Sequence, residues 1–179
     1  MHYFRGGVFM NFLELSKARY SCRKMSDKTV EQEKIDYILQ AAIAAPTAKN
    51  LQPYKIWEIK SDEAMEKLKQ ATHFTFGAKI VLAVGGKKAE AFVRPSDSEN
   101  FAVVDATIVA THLLLAIQDA GLSTTWVGMF DSPKLKELFP EMKDYELVGL
   151  FPIGYAADDA KPSPRHAERR SKDEAVTVL

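Results

Sequence analysis

Apolar positions recur along the chain with two periods, and the alternation of those periods predicts helices interleaved with strands. Phe12 to Ala18 reads as a short N-terminal helix. From Thr29 onward, Ile35, Ile38, Leu39, Ala42 and Ile43 follow helical spacing, and Thr29 with Gln32 three residues later has the pattern of a capping box. Pro46 stops this helix, because a proline pushes the residue before it out of the helical region. Tyr54 to Lys60 is a short β-rich run, after which Ser61 caps a helix whose Ala64, Met65, Leu68 and Ala71 share one face. Lys79 to Val84 is the next strand, apolar enough to predict cover on both faces. Residues 87 to 98 are polar and read as a loop leading into a helix.

That helix, Phe101 to Ala120, has Val103, Val104, Ile108, Val109, Leu113, Leu114, Leu115 and Ile117 spread round most of its circumference. Such a pattern predicts burial on every side, either at the centre of the domain or against a second subunit. Gly121 ends the helix as a C-cap. Thr124 to Phe130 reads as a strand, Asp131 or Ser132 caps a short helix with Pro133 at its first position, and Glu146 to Tyr155 is the last long strand. Beyond Gly154 the chain turns polar and basic, with Lys161, Arg165, Arg169, Arg170 and Lys172 against Glu168. This tail must lie on something or project into solvent. Residues 1 to 9, set apart by Gly6 and Gly7, read as a flexible N-terminal extension, and residues 10 to 179 as a single domain.

Composition narrows the partners. At 46% hydrophobic and 27% charged, the 179 residues have the signature of a folded domain rather than a disordered one. Lysine plus arginine balances aspartate plus glutamate at 24 each, so no whole-molecule field gathers nucleic acid or an anionic membrane, and any anion site must be local. Cys22, the single cysteine, has no partner for an internal disulfide, and no His/Cys spacing predicts a metal site. The N-terminus lacks the apolar run of a signal peptide, which predicts a cytoplasmic protein. The longest uncharged stretch, Ala106 to Gln118, is shorter than the about 20 apolar residues of a membrane span.

Three segments carry candidate chemistry. In ARYSCRKM, alternation in extended chain points Arg19, Ser21 and Arg23 to one side, where two guanidinium forks and a hydroxyl would cradle an anion. The same residues also suit a solvated basic turn, and spacing does not separate the two. In APTAKNLQPYKI, Pro46 and Pro53 stiffen a loop on which Thr47, Asn50 and Gln52 offer groups that both donate and accept, as a heteroaromatic edge requires; a helix stop followed by turn chemistry accounts for them equally. In GLSTTWVGMFD, Gly128 inside a strand marks close approach of a ligand to backbone, or simply a position with nothing to pack. The basic tail is a fourth candidate, with a frayed terminus as its plain reading. His112 suits an interface histidine better than an acid or base, and Cys22 lacks a partner that would make it a nucleophile.

Taken in chain order, RxSxR at Arg19, Ser21 and Arg23, the AAPTAKNLQPY loop, KIVLAV, the segment from Asp105 through LLLAIQDAGL to TTWVGMFD, and FPIGYA resemble the nitroreductase family of FMN-dependent oxidoreductases over about Asn11 to Val176. The resemblance implies an α+β fold, a central antiparallel sheet flanked by helices, in an intertwined homodimer with FMN at the subunit interface. It implies that Arg19 and Ser21 hold the FMN phosphate and that Arg23 is the cation beside the pyrimidine end. Pro46, Thr47 and Ala48, followed by Asn50 and Gln52, would line the isoalloxazine from the other subunit. Val127 and Gly128 would stand at flavin N5, and Arg169 or Arg170 would reach the phosphate from the tail. The implied activity is hydride transfer from NAD(P)H to flavin N5 and on to a nitroaromatic, quinone or similar acceptor by a ping-pong mechanism. The flavin carries the chemistry, so no dedicated catalytic side chain is expected. The sequence departs from the family in having Ala48 where serine is frequent, and His112 where asparagine is common. Those departures leave room for a non-catalytic flavin-binding or interaction module that keeps the dimeric fold.

Overall fold

The central strand of the fold is Ile80–Gly86, and six of its seven residues are buried. It is the second of three strands: β1 (Tyr54–Ile59), β2 (Ile80–Gly86) and β3 (Glu146–Ile153) form one antiparallel sheet in the order β1-β2-β3. The structure is a computed structural model that describes residues 11–179; the extension expected over residues 1 to 9 lies outside them. Around the sheet run α1 (Phe12–Ala18), α2 (Gln32–Ile43), α3 (Asp62–Lys69), α4 (Ala102–Asp119), α5 (Ser132–Leu138) and a final turn, α6 (Lys172–Ala175). The chain is therefore α+β, with a central antiparallel sheet flanked by helices.

Strand alternation sends successive side chains to opposite faces. Leu82, Val84, Phe151 and Ile153 face α2 and α4 with Ile35, Ile38, Val109, Leu113 and Ile117. Trp57, Ile59, Val81, Ala83 and Leu150 face the other way, onto Met65 and Leu68 of α3 and Leu135 of α5. Both faces of β2 are thus covered, which explains its unbroken apolar run. At its end, Gly86 touches the first turn of α4: a Cβ there would lie 2.0 Å from the Ala102 carbonyl oxygen. Tyr54 pairs with Gly86, and the Lys87 N–H donates to the Pro53 carbonyl at 2.7 Å. Those two contacts bring the loop before β1 over the start of α4.

Two expectations are corrected. The helix after Thr29 begins at Gln32 with Glu31 as its N-cap, and Thr29 makes no cap. Glu31 is turned toward the segment after β3, where its carboxylate accepts from the Tyr155 hydroxyl at 2.7 Å, and that bond holds the carboxyl below its ordinary pKa. Accordingly Thr29→Ala is expected to shift stability by less than about 0.5 kcal/mol by denaturant unfolding, where loss of a true cap costs about 1 kcal/mol.

Thr124 to Phe130 is not a continuous strand. It meets the rest of the fold at isolated bridges, Ser21 with Thr124, Ser123 with Gly154 and Val127 with Leu150. The cause is Trp126, whose indole lies over Gly149, where a Cβ would sit 2.4 Å from Nε1. The indole N–H donates to the Val148 carbonyl at 2.9 Å, beside the register shift opposite Val84 and Gly85. A side chain thus occupies a place that a ladder bond would otherwise take.

For α4, whose apolar pattern predicts a central helix or one packed on a second subunit, the single chain covers only part of the circumference. Ala102, Asp105, Ala106, Val109, Ala110, Leu113, Ala116 and Ile117 are buried, but Val103 and Val104 are 46% and 40% exposed in the single chain. By length and composition α4 could cross a membrane; in the fold it packs on α2 and all three strands.

Candidate functional site

After α1 the chain meets the Thr124 segment at Ser21, which bridges Thr124, with the Cys22 N–H donating to the Thr124 carbonyl at 3.0 Å. Cys22 turns inward and packs on Ala78, and the alternation ends by Met25, which is buried in the same cluster. The alternate positions Arg19, Ser21 and Arg23 therefore point to the other side, as the spacing predicts. What lies on that side is the tail. The Ser26 N–H donates to the Tyr155 carbonyl at 2.8 Å, the Ala157 N–H to the Lys24 carbonyl at 3.1 Å, and Lys24 pairs with Asp159. Further on, the His166 ring donates to the Lys17 carbonyl at 3.1 Å and meets Tyr20 edge-on, with ring centroids 6.3 Å apart. These contacts lay a polar segment along the chain's beginning.

The two ends enclose a cavity of about 300 Å³ lined by Arg19, Ser21, Arg23, Ser163, Arg165, His166 and Arg169. Arg169 is held there by its own backbone neighbourhood, its guanidinium donating to the His166 and Glu168 carbonyls at 2.5 and 2.6 Å. Arg170 points elsewhere, to the Glu174 carbonyl. Burial pushes the Arg19 guanidinium below its ordinary pKa, and the charge of Arg169 pushes the same way. Both effects penalise the cation as long as no counter-charge stands beside it. An anion between the two arginines relieves both, because it supplies the counter-charge and accepts the hydrogen bonds that burial took from water. Four guanidinium groups, an imidazole and two hydroxyls make a donor set suited to a phosphate monoester.

Val127 and Gly128 lie further along the segment that Ser21 bridges. Val127 is buried and exchanges two backbone bonds with Leu150, at 2.9 and 3.0 Å. Gly128 is the reverse: a Cβ there would meet nothing within 4 Å. The open backbone is fixed from behind, since the Thr72 hydroxyl donates to the Met129 carbonyl at 3.0 Å and the Asp131 N–H to the Ala71 carbonyl at 2.8 Å.

Pro46, Thr47, Ala48, Asn50 and Gln52 lie apart from the arginine cavity of their own chain. The Ala48 N–H donates to Asp105 of α4 at 2.8 Å, and the Gln52 N–H to the Thr47 hydroxyl at 3.0 Å. Lys49, Asn50 and Gln52 all hold positive φ, between 52° and 54°. Sequence reasoning missed Ser163, Arg165 and His166 as cavity residues. Arg165 was visible only as part of a basic tail, and the helical turn at Pro164–Ala167 that places all three was not anticipated.

Comparison with known proteins gives a consistent result. The model described as the nitroreductase family matches residues 17–76 and 72–155. A nitroreductase family protein from Clostridium difficile 630 has a solved structure that is 33% identical, with a TM-score of 0.86 over 94% of this chain and 98% of that one. A provisionally named NADH dehydrogenase/NAD(P)H nitroreductase from Methanothermobacter thermautotrophicus is 29% identical over 159 residues, 84% of this chain and 80% of its own. A provisionally named nitroreductase from Exiguobacterium sibiricum 255-15, solved in complex with FMN, shares the fold at 22% identity and a TM-score of 0.80, over 97% of this chain and 99% of that one.

Proposed function

Because the chain belongs to the nitroreductase family, we propose that it is a homodimeric FMN-dependent oxidoreductase that oxidises NAD(P)H and reduces a small acceptor such as a nitroaromatic or quinone. The observation that carries this reading is the arginine cavity between the chain's two ends. It brings Arg19, Ser21, Arg23 and Arg169 together around a space that wants an anion. A flavin mononucleotide carries one terminal phosphate, and the donor set fits it.

In this reading Arg19, Ser21 and Arg169 anchor the phosphate, with Arg165, His166 and Ser163 closing the cavity. Arg23 adds a fixed positive charge for the electron-rich end of the ring, which needs no reorganisation when charge develops there. Gly128 presents bare backbone, so that a flat ligand can approach it without meeting a side chain. When bound, FMN supplies the two-electron chemistry, accepting hydride from NAD(P)H and returning it to the acceptor in ping-pong order.

The dimer rests on what the single chain leaves uncovered. No residue of α1 is buried; Phe12 and Leu13 are 72% and 61% exposed, α1 packs against α4, and Val103 and Val104 of α4 are exposed as well. An apolar face of this kind is suited to a second copy, which would also bring the 46–52 loop of one chain to the arginine cavity of the other.

The test is anaerobic. Protein reconstituted with FMN should bleach on addition of NADH or NADPH and recover its colour, mole for mole, with a nitroaromatic or quinone. A flavin that stays oxidised with both nicotinamides contradicts the proposed activity and favours a binding module.

A further inference from the structure

Asp105 is the one acidic residue among the buried polar side chains of the described chain, at 1% exposure, and the proposed chemistry makes no use of it. It lies one turn into α4, where the contact of Gly86 with Ala102 sets the helix against the end of the sheet. Its Oδ1 accepts the Ala48 N–H at 2.8 Å, and its Oδ2, fully buried, has no hydrogen-bond partner among the described residues. Burying a carboxylate costs free energy that its hydrogen bonds must offset, and the Ala48 N–H is the partner this one has among the described residues.

What it holds is a loop in an unfavourable conformation. Lys49, Asn50 and Gln52 all occupy the left-handed region, which non-glycine residues rarely adopt. The other hydrogen bonds of residues 47 to 52 stay within residues 47 to 54: Asn50 N–H to the Thr47 carbonyl, Leu51 N–H to the Ala48 carbonyl, Gln52 N–H to the Thr47 hydroxyl, Gln52 Nε2 to the Asn50 carbonyl. Internal bonds shape the turn without fixing it in place. The Ala48 bond to Asp105 ties it to α4, which packs on α2 and all three strands.

We propose that Asp105 is a positioning residue: by holding the Ala48 N–H it locks the left-handed turn at Lys49–Gln52 and sets Asn50 and Gln52 in the orientation in which they meet the flavin ring. The hold on the loop is a property of the chain itself; its effect on the ring rests on the function proposed above.

Amide hydrogen exchange separates the two. In full-length protein without FMN, Asp105→Ala should accelerate exchange of the Ala48 amide by about 10- to 100-fold, the range for a lost bond to a charged acceptor, with core amides of α4 unchanged. Asp105→Asn keeps an acceptor and should return Ala48 to within about 3-fold of wild type. If Asp105→Ala does not fold, Ala48→Pro removes the donor at the first position of its turn, and the amides of Asn50 and Gln52 should then exchange faster. With FMN added, Asp105→Ala should bind flavin through the arginine cavity but show altered ring absorbance and fluorescence, which Asp105→Asn restores. Undiminished loop protection in Asp105→Ala, or in Ala48→Pro where the first does not fold, overturns the proposal. So does a ring signal the same in Asp105→Ala as in wild type. Wild-type protein that binds no FMN refutes the flavin reading instead, while the exchange comparison still decides whether Asp105 holds the loop.

Discussion

Arg19→Ala combined with Arg169→Ala is expected to weaken FMN binding by about 10²- to 10⁴-fold, enough to leave the purified protein colourless. Each guanidinium offers charge-assisted hydrogen bonds to a phosphate, and hydrogen bonds to charged groups contribute about 1.5 to 3 kcal/mol apiece. The same double variant should melt no lower than wild type in the absence of flavin. Arg19 is already penalised by burial and by the charge of Arg169, so removing both charges relieves a repulsion that offsets the loss of the exposed Arg169 bonds to the His166 and Glu168 carbonyls. Equilibrium fluorescence titration with FMN and a thermal melt of the apoprotein check the two halves. Arg170→Ala is the control: its guanidinium reaches the Glu174 carbonyl, away from the cavity, and flavin affinity should change little.

Gly86→Val should be the most damaging single change to the fold. Even a Cβ at this position meets the Ala102 carbonyl oxygen at 2.0 Å and its carbon at 2.6 Å, and both are backbone atoms that cannot swing aside. Either α4 moves off the sheet or β2 ends early, at a cost of about 3 kcal/mol or more. For a chain of this size that corresponds to a fall in Tm of roughly 6 to 12 °C. Because the shift would carry Asp105 away from Ala48, residual folded protein should also lose protection in the 47–52 loop. Gly128→Ala provides the contrast, since its Cβ enters open space and should change Tm by no more than about 2 °C.

The two glycines show why only part of this molecule could be read from its residues. Among the described residues, binary patterning located every helix longer than one turn and all three strands of the sheet, because their apolar periods reflect which face meets the core. It misplaced the cap at Thr29, since the decisive partner of Glu31 is Tyr155, 124 residues away. It also made a strand of Thr124 to Phe130, since nothing local signals that Trp126 will lie over Gly149 and bond Val148. The all-round apolar pattern of α4 predicts a central position or a second subunit; in the single chain one face is buried, Ile108, Leu114 and Leu115 are partly buried, and Val103 and Val104 are open.

Within the site, Arg19, Ser21 and Arg23 were legible because alternation in extended chain is a local property, and the neighbouring Cys22 confirms it by turning inward. The tail arginines were visible as charge but not as geometry. Choosing Arg169 over Arg170 for the cavity depends on backbone carbonyls presented by the turn at Pro164–Ala167. The left-handed residues of the 47–52 loop carry no glycine to announce them. Their conformation follows from a bond to a carboxylate 57 residues away, which patterning along the chain does not reveal.

The central claim is that one FMN phosphate lies between the two ends of this chain. A crystal structure of the protein grown with FMN tests it most directly. The account predicts the phosphate within hydrogen-bonding distance of Arg19, Ser21 and Arg169, with the ring passing Gly128 and meeting Asn50 or Gln52 of a second copy. A phosphate bound anywhere else, or an arginine cavity left without an anion at saturating FMN, would contradict it.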